Sequence, residues 1–161
     1  YEGIKMCSPL LLSFGGHRFA VGLTIEREKI EAFKNQFEEL VLQGCKTDDF
    51  IPRIRIDSEV TLSVIERKLI EELSLLAPFG LSNPKPIFCS RELRVMDSKI
   101  VGEDNLKLKV EEDVICDAIG FHMGHLHPLE SKRVRIAFVP QINEWQGVKN
   151  IQLELRDILI C

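Results

Sequence analysis

Gly15, Gly16 and His17 are consecutive and together have the makings of a phosphate clamp. Two residues without Cβ atoms let backbone N–H groups approach an anion closely, and the neighbouring imidazole adds a donor that can carry charge. Arg18 either reinforces such a clamp or faces solvent. The competing reading is that the glycines end a helix and His17 fills space. These residues alone leave both readings open.

A second set of candidates is cationic and aromatic. Lys107 and Lys109 share one face of an alternating segment, and Lys132, Arg133 and Arg135 precede or line another. Such rows can track a phosphate backbone, with Phe121 or Trp145 stacking a base, or they can be a solvated strand face. His122, His125 and His127, followed by Glu130, have the density of a transition-metal site. Gly124 and Pro128 put them in a loop without a rigid scaffold, so adventitious metal binding is the favoured reading and no metal ligand is assigned. There is no Asp-His-His run, Asp-x-Asp pair, His-Glu-x-x-His or P-loop. Phosphodiester hydrolysis calls for acids and histidines gathered around divalent metals, so the bond-breaking step is expected outside this chain.

The bulk properties narrow the field. A length of 161 residues suits one ordinary domain or two small ones, and a formal charge of −4 argues against a broadly basic DNA-coating surface. Any nucleic-acid site is therefore local. No apolar run reaches the roughly 18 residues that cross a bilayer, and no cleavable leader is evident. The five cysteines are irregularly spaced and never form Cys-x-x-Cys, which suits reduced thiols and a cytoplasmic location. The first residue is Tyr1, not Met, so the chain is expected to be a piece of something longer.

The elements that must position these residues are legible as patterns. Ile4 to Ser13 has helical spacing interrupted by Pro9 and runs into the glycines. Phe19 to Ile25 reads as a buried strand, Glu26 to Gln43 as an amphipathic helix stopped by Gly44, and Pro52 to Asp57 as a half-exposed strand. Ser58 to Leu76 repeats apolar residues at Leu62, Ile65, Leu69, Leu73 and Leu76, predicting a helix that Pro78 stops. The turn-forming stretch from Ala77 to Pro86 predicts a domain boundary. Beyond it, alternation around Ile87–Val101, Leu106–Val110, Val114–Phe121, Val134–Phe138 and Ile151–Leu155 predicts about five strands in a small barrel. Asn143 to Gly147 reads as a hairpin tip.

Several segments then fall into one order. Phe14-Gly15-Gly16-His17 with Ala20-Val21-Gly22-Leu23 resembles the Gly-Gly-His signature of the DHH-associated domain. Leu76-Ala77-Pro78-Phe79-Gly80 and Asn83-Pro84-Lys85-Pro86-Ile87-Phe88 resemble the junction that follows it in RecJ-type exonucleases. Val101-Gly102-Glu103, Asp117-Ala118-Ile119-Gly120-Phe121 and Ile142-Asn143-Glu144-Trp145-Gln146-Gly147 resemble the RecJ oligonucleotide-binding barrel. The resemblance implies an α+β chain, with a small α/β DHH-associated domain over 1–82 followed by an all-β, five-stranded OB-like barrel over 83–161. It implies the carboxy-terminal part of a 5′→3′ single-stranded-DNA exonuclease, whose Mn or Mg ions sit in an amino-terminal DHH catalytic domain absent from this chain. The fragment alone is then expected to be inactive and to carry no cofactor. Its partners would be single-stranded DNA and that DHH domain, with no membrane. Gly15, Gly16, His17 and Arg18 would contact substrate phosphate, with His17 positioning it. Lys107, Lys109, Arg135, Phe121 and Trp145 would guide the strand. Family members often carry small residues where this chain has Arg18 and Val21. The alternatives are a stand-alone single-strand-binding or protein-interaction module, and another DHH-superfamily member acting on short oligonucleotides or cyclic dinucleotides.

Overall fold

The computed structural model describes residues 1–17 and 19–161. Contacts divide the chain into two units, Tyr1–Arg53 and Ile54–Cys161.

In the first unit, helix α1 (Glu2–Met6) is short because Pro9 follows it: residues 8–10 form a 3-10 turn and Leu11 is already extended. Leu12 N donates to Thr24 O at 2.9 Å, opening an antiparallel hairpin of β1 (Ser13–His17) and β2 (Ala20–Thr24). This corrects the expectation that Gly15 and Gly16 end a helix, since both lie in β1. Helix α2 (Ile30–Gly44) follows a 3-10 turn at 27–29 and stacks Phe33 on Phe37, one helical turn apart.

The second unit contains a seven-stranded sheet and the short helix α3 (Arg67–Ser74). Its strands are β3 (Ser58–Val60), β4 (Phe88–Ser90), β5 (Leu93–Val101), β6 (Asn105–Glu111), β7 (Ile115–Gly120), β8 (Arg133–Trp145) and β9 (Val148–Ile160). The order is β3-β4-β8-β5-β6-β7-β9, and β8 also pairs along β9. Pairings therefore run β5–β6–β7–β9–β8 and back to β5, all antiparallel except β7 with β9. The period-two sequence pattern explains why: Leu106, Leu108 and Val110 are 0% exposed and meet Val95, Ile136, Phe138 and Leu153 in one core. Gln146 and Gly147 have φ of 52° and 79°, the left-handed pair that a two-residue hairpin needs, and they join β8 to β9.

The segment from 52 to 76 departs from expectation. No strand forms over 52–57, and the predicted helix from Ser58 is replaced by β3, a 3-10 turn at 62–64 and then α3. Asp57 is the cause. Its N–H donates to Ile87 O at 2.8 Å and its carboxylate accepts from Ile87 N at 2.9 Å, which sets the next residues parallel to β4. Leu62 and Ile65 then drop into the core, and Glu112 Oε2 accepts from Leu62 N at 2.8 Å. These ties carry residues 54–82 with the sheet, so the contact division falls upstream of the turn-rich stretch at 77–86. Among the described residues, no helix is long and apolar enough to cross a membrane.

Candidate nucleic-acid interface

In the β1–β2 hairpin, Gly15 stands opposite Gly22, so neither strand carries a side chain at that level. A Cβ placed on Gly15 or Gly22 would meet nothing within 4 Å, which leaves bare backbone open to a ligand. Gly16 is different. Its φ is +143° and a Cβ there would strike the Ala20 carbonyl oxygen, so glycine is demanded by the hairpin itself. His17 ends β1 and is exposed, with Nδ1 accepting from Phe19 N at 3.2 Å. An accepting Nδ1 places the proton of the neutral ring on Nε2, which becomes a donor available to an anion. Arg18 lies outside the described residues.

The cationic candidates of the second unit sit on a defined sheet face. Because Leu106, Leu108 and Val110 point into the core, Lys107, Lys109 and Glu111 point away from it. Lys107 pairs with Ile119 of β7. Lys109 is flanked directly by Asp97 of β5 and Asp117 of β7, so two carboxylates offset its charge. Phe121 is the first residue of the turn that follows β7, two residues beyond Ile119, and it is 53% exposed. The side chain of Trp145 lies outside the described residues.

Arg135 also points away from the core, alternating with the buried Val134 and Ile136, but its guanidinium is already engaged. Its Nη2 contacts Glu59 Oε2 at 2.6 Å and its Nε donates to Ser90 O at 3.4 Å, while Arg133 contacts Glu92 at 2.6 Å. Sequence reasoning missed Asp97, Asp117 and Glu59, because each becomes a neighbour only through strand register. It also missed Ser90, which is fully buried; its hydroxyl donates to Arg91 O at 2.7 Å and accepts from Ile136 N at 3.0 Å.

The histidine cluster does not converge. His127 Nδ1 lies 2.9 Å from the buried Ser98 hydroxyl, which accepts from Leu129 N at 3.2 Å, so that imidazole serves the packing of its own loop. Among the described residues, no group of three or more His, Cys, Asp or Glu side chains is placed to hold a metal ion. The donor set of the described residues thus does not fit a divalent metal centre.

Comparison with known proteins adds a family. The model of the RecJ OB domain matches residues 56–157. The single-stranded-DNA-specific exonuclease RecJ of Bacillus subtilis is 28% identical over 165 residues, covering 99% of this chain and 21% of the relative. Its counterpart in Escherichia coli is 29% identical over 154 residues, covering 92% and 26%. The crystal structure of RecJ in complex with Mn2+ from Thermus thermophilus superposes with a TM-score of 0.80 at 22% identity, covering 98% of this chain and 23% of that one. The Mg2+ complex from the same organism gives 0.79. The chain spans about a quarter of the length of these curated relatives.

Proposed function

Because the chain belongs to the RecJ OB domain family, we propose that it is the strand-holding part of a RecJ-like 5′→3′ single-stranded-DNA exonuclease. The observation that carries this reading is the outward face of β6, where Lys107 offers a cation for phosphate, with the exposed ring of Phe121 in the turn directly after the adjoining β7 as a platform for a base. The ring of five paired strands is read as the oligonucleotide-binding barrel, and the Gly-Gly-His hairpin as part of a DHH-associated substrate domain.

The division of labour follows from chemistry. The bare backbone at Gly15 and the Nε2 proton of His17 would hold a phosphate in place, and the sheet face would hold single strand. Water activation by divalent metal would fall to a DHH domain outside these residues. That assignment agrees with relatives named as exonucleases and with RecJ structures in complex with Mn2+ and Mg2+.

The test is a titration of labelled single-stranded and duplex oligonucleotides at two salt concentrations. Tighter binding of the single strand, weakening with salt, is expected. Equal affinity for duplex, or no binding at low salt, would sink the reading and favour a protein partner for the sheet face.

A further inference from the structure

We propose that Lys99 and Lys107 together form a phosphodiester subsite on the outward face of β5 and β6, an inference that rests on the strand-guiding function just described. The register places Lys99 directly opposite Lys107. Like charges in that position repel and destabilise a sheet unless something neutralises them. Neither lysine has an acid in contact or directly beside it: among the described residues neither ammonium lies within 4.0 Å of a carboxylate, whereas eight other cation–acid pairs do, and Asp97 and Asp117 lie only diagonally from Lys107.

The neighbouring rows sharpen the contrast. One step along the strands, Lys109 sits between Asp97 and Asp117, and further on Arg94 meets Glu111 at 3.3 Å. In the row of Lys99 and Lys107 the next residue is Ile119, followed by Glu154, whose carboxylate is already 2.9 Å from Arg156. Among the described residues, Lys109 thus has an acid directly beside it on each neighbouring strand whereas Lys107 has none, and Phe121 begins the turn after β7, the strand that pairs with β6 at Lys107. A singly charged phosphodiester oxygen pair between the two ammoniums removes the repulsion and leaves the adjoining base within reach of the ring. Free inorganic phosphate offers the charge without the base, so a nucleic-acid strand is the occupant this geometry favours.

The experiment uses the 161-residue chain and a fluorescein-labelled single-stranded oligodeoxythymidine. Lys99→Gln, Lys107→Gln, the double variant and Lys68→Gln are compared, the last removing an equal charge from α3, where Lys68 faces Glu72. Each single variant of the pair is expected to weaken binding about threefold or more at low salt, and the double variant to flatten the slope of log affinity against log salt by about 0.7. Without DNA, Lys99→Gln should raise the low-salt Tm by about 1–2 °C, because the opposed charges are relieved. Wild-type affinity in Lys99→Gln, or equal weakening by Lys68→Gln, overturns the subsite while leaving strand guidance standing. Failure of the unsubstituted chain to bind the oligonucleotide overturns both.

Discussion

Arg135 reaches across β4 to Glu59 on β3, with Nη2 and Oε2 2.6 Å apart, so one guanidinium on β8 ties three strands of the sheet. The side chains are 42% and 50% exposed, and exposed ion pairs are worth at most about 1 kcal/mol. Arg135→Met and Glu59→Gln should therefore each lower Tm by no more than about 4 °C, with the loss fading at high salt. Since this guanidinium is occupied, Arg135→Met should weaken single-strand binding less than Lys107→Gln does. Loss of binding in Arg135→Met with unchanged Tm would return Arg135 to the path of the strand.

This pair also shows what the sequence could and could not reveal. The alternation at Leu106, Leu108 and Val110 places Lys107 and Lys109 on the outer face with no structure at all, since a strand has period two. Which acid meets which cation depends on register, and nothing local in the sequence encodes that Asp97 and Asp117 bracket Lys109. The apolar spacing from Leu62 to Leu76 is genuine, yet only Arg67–Ser74 of it is α-helical. The long-range bonds between Asp57 and Ile87 outcompete the first turns of a helix there. Gly15 and Gly16 are visible in the sequence as a special backbone, but Pro9 ends the preceding helix before the chain reaches them.

Phe121 supplies a test of stacking. At 53% exposure its ring contributes little to the core, so Phe121→Ala should leave urea stability nearly unchanged. Stacking of a base on an aromatic ring is worth about 1–3 kcal/mol, so the same substitution should weaken single-strand binding about tenfold, with Phe121→Tyr restoring it. Unchanged affinity in Phe121→Ala would remove the ring from the interface.

The thiols predict a pH dependence. Burial raises the Cys116 thiol above its ordinary value of 9.0, and the charges of Asp113 and Asp117 push it further in the same direction; burial alone raises Cys7. Both should react slowly with a disulfide reagent at pH 8, behind the exposed Cys45 and Cys161. A raised folded value means that the neutral thiol is favoured by the fold. Its stabilising contribution is complete below pH 9.0 and is lost as pH rises through the higher folded value. Cys116→Val should accordingly flatten the fall in Tm as pH rises above 9.0. An equally steep fall in that variant would contradict this assignment.

Gly15 and Gly16 separate a structural demand from a functional one. A side chain at Gly16 must adopt φ +143° and collide with the Ala20 carbonyl, so Gly16→Ala should cost at least about 1–3 kcal/mol and open the hairpin. Gly15→Ala meets open space, so Tm should stay within about 1–2 °C of the parent. If phosphate approaches the bare backbone opposite Gly22, the same methyl group should still depress turnover when the substitution is made in the proposed full-length exonuclease. His17→Ala belongs beside it. The Phe19 N–H holds Nδ1 as an acceptor and leaves Nε2 to donate, so its loss should lower kcat more than it raises KM, as expected of a positioning group. Wild-type kcat in both Gly15→Ala and His17→Ala would confine the hairpin to a structural role, whatever the sheet face does with DNA.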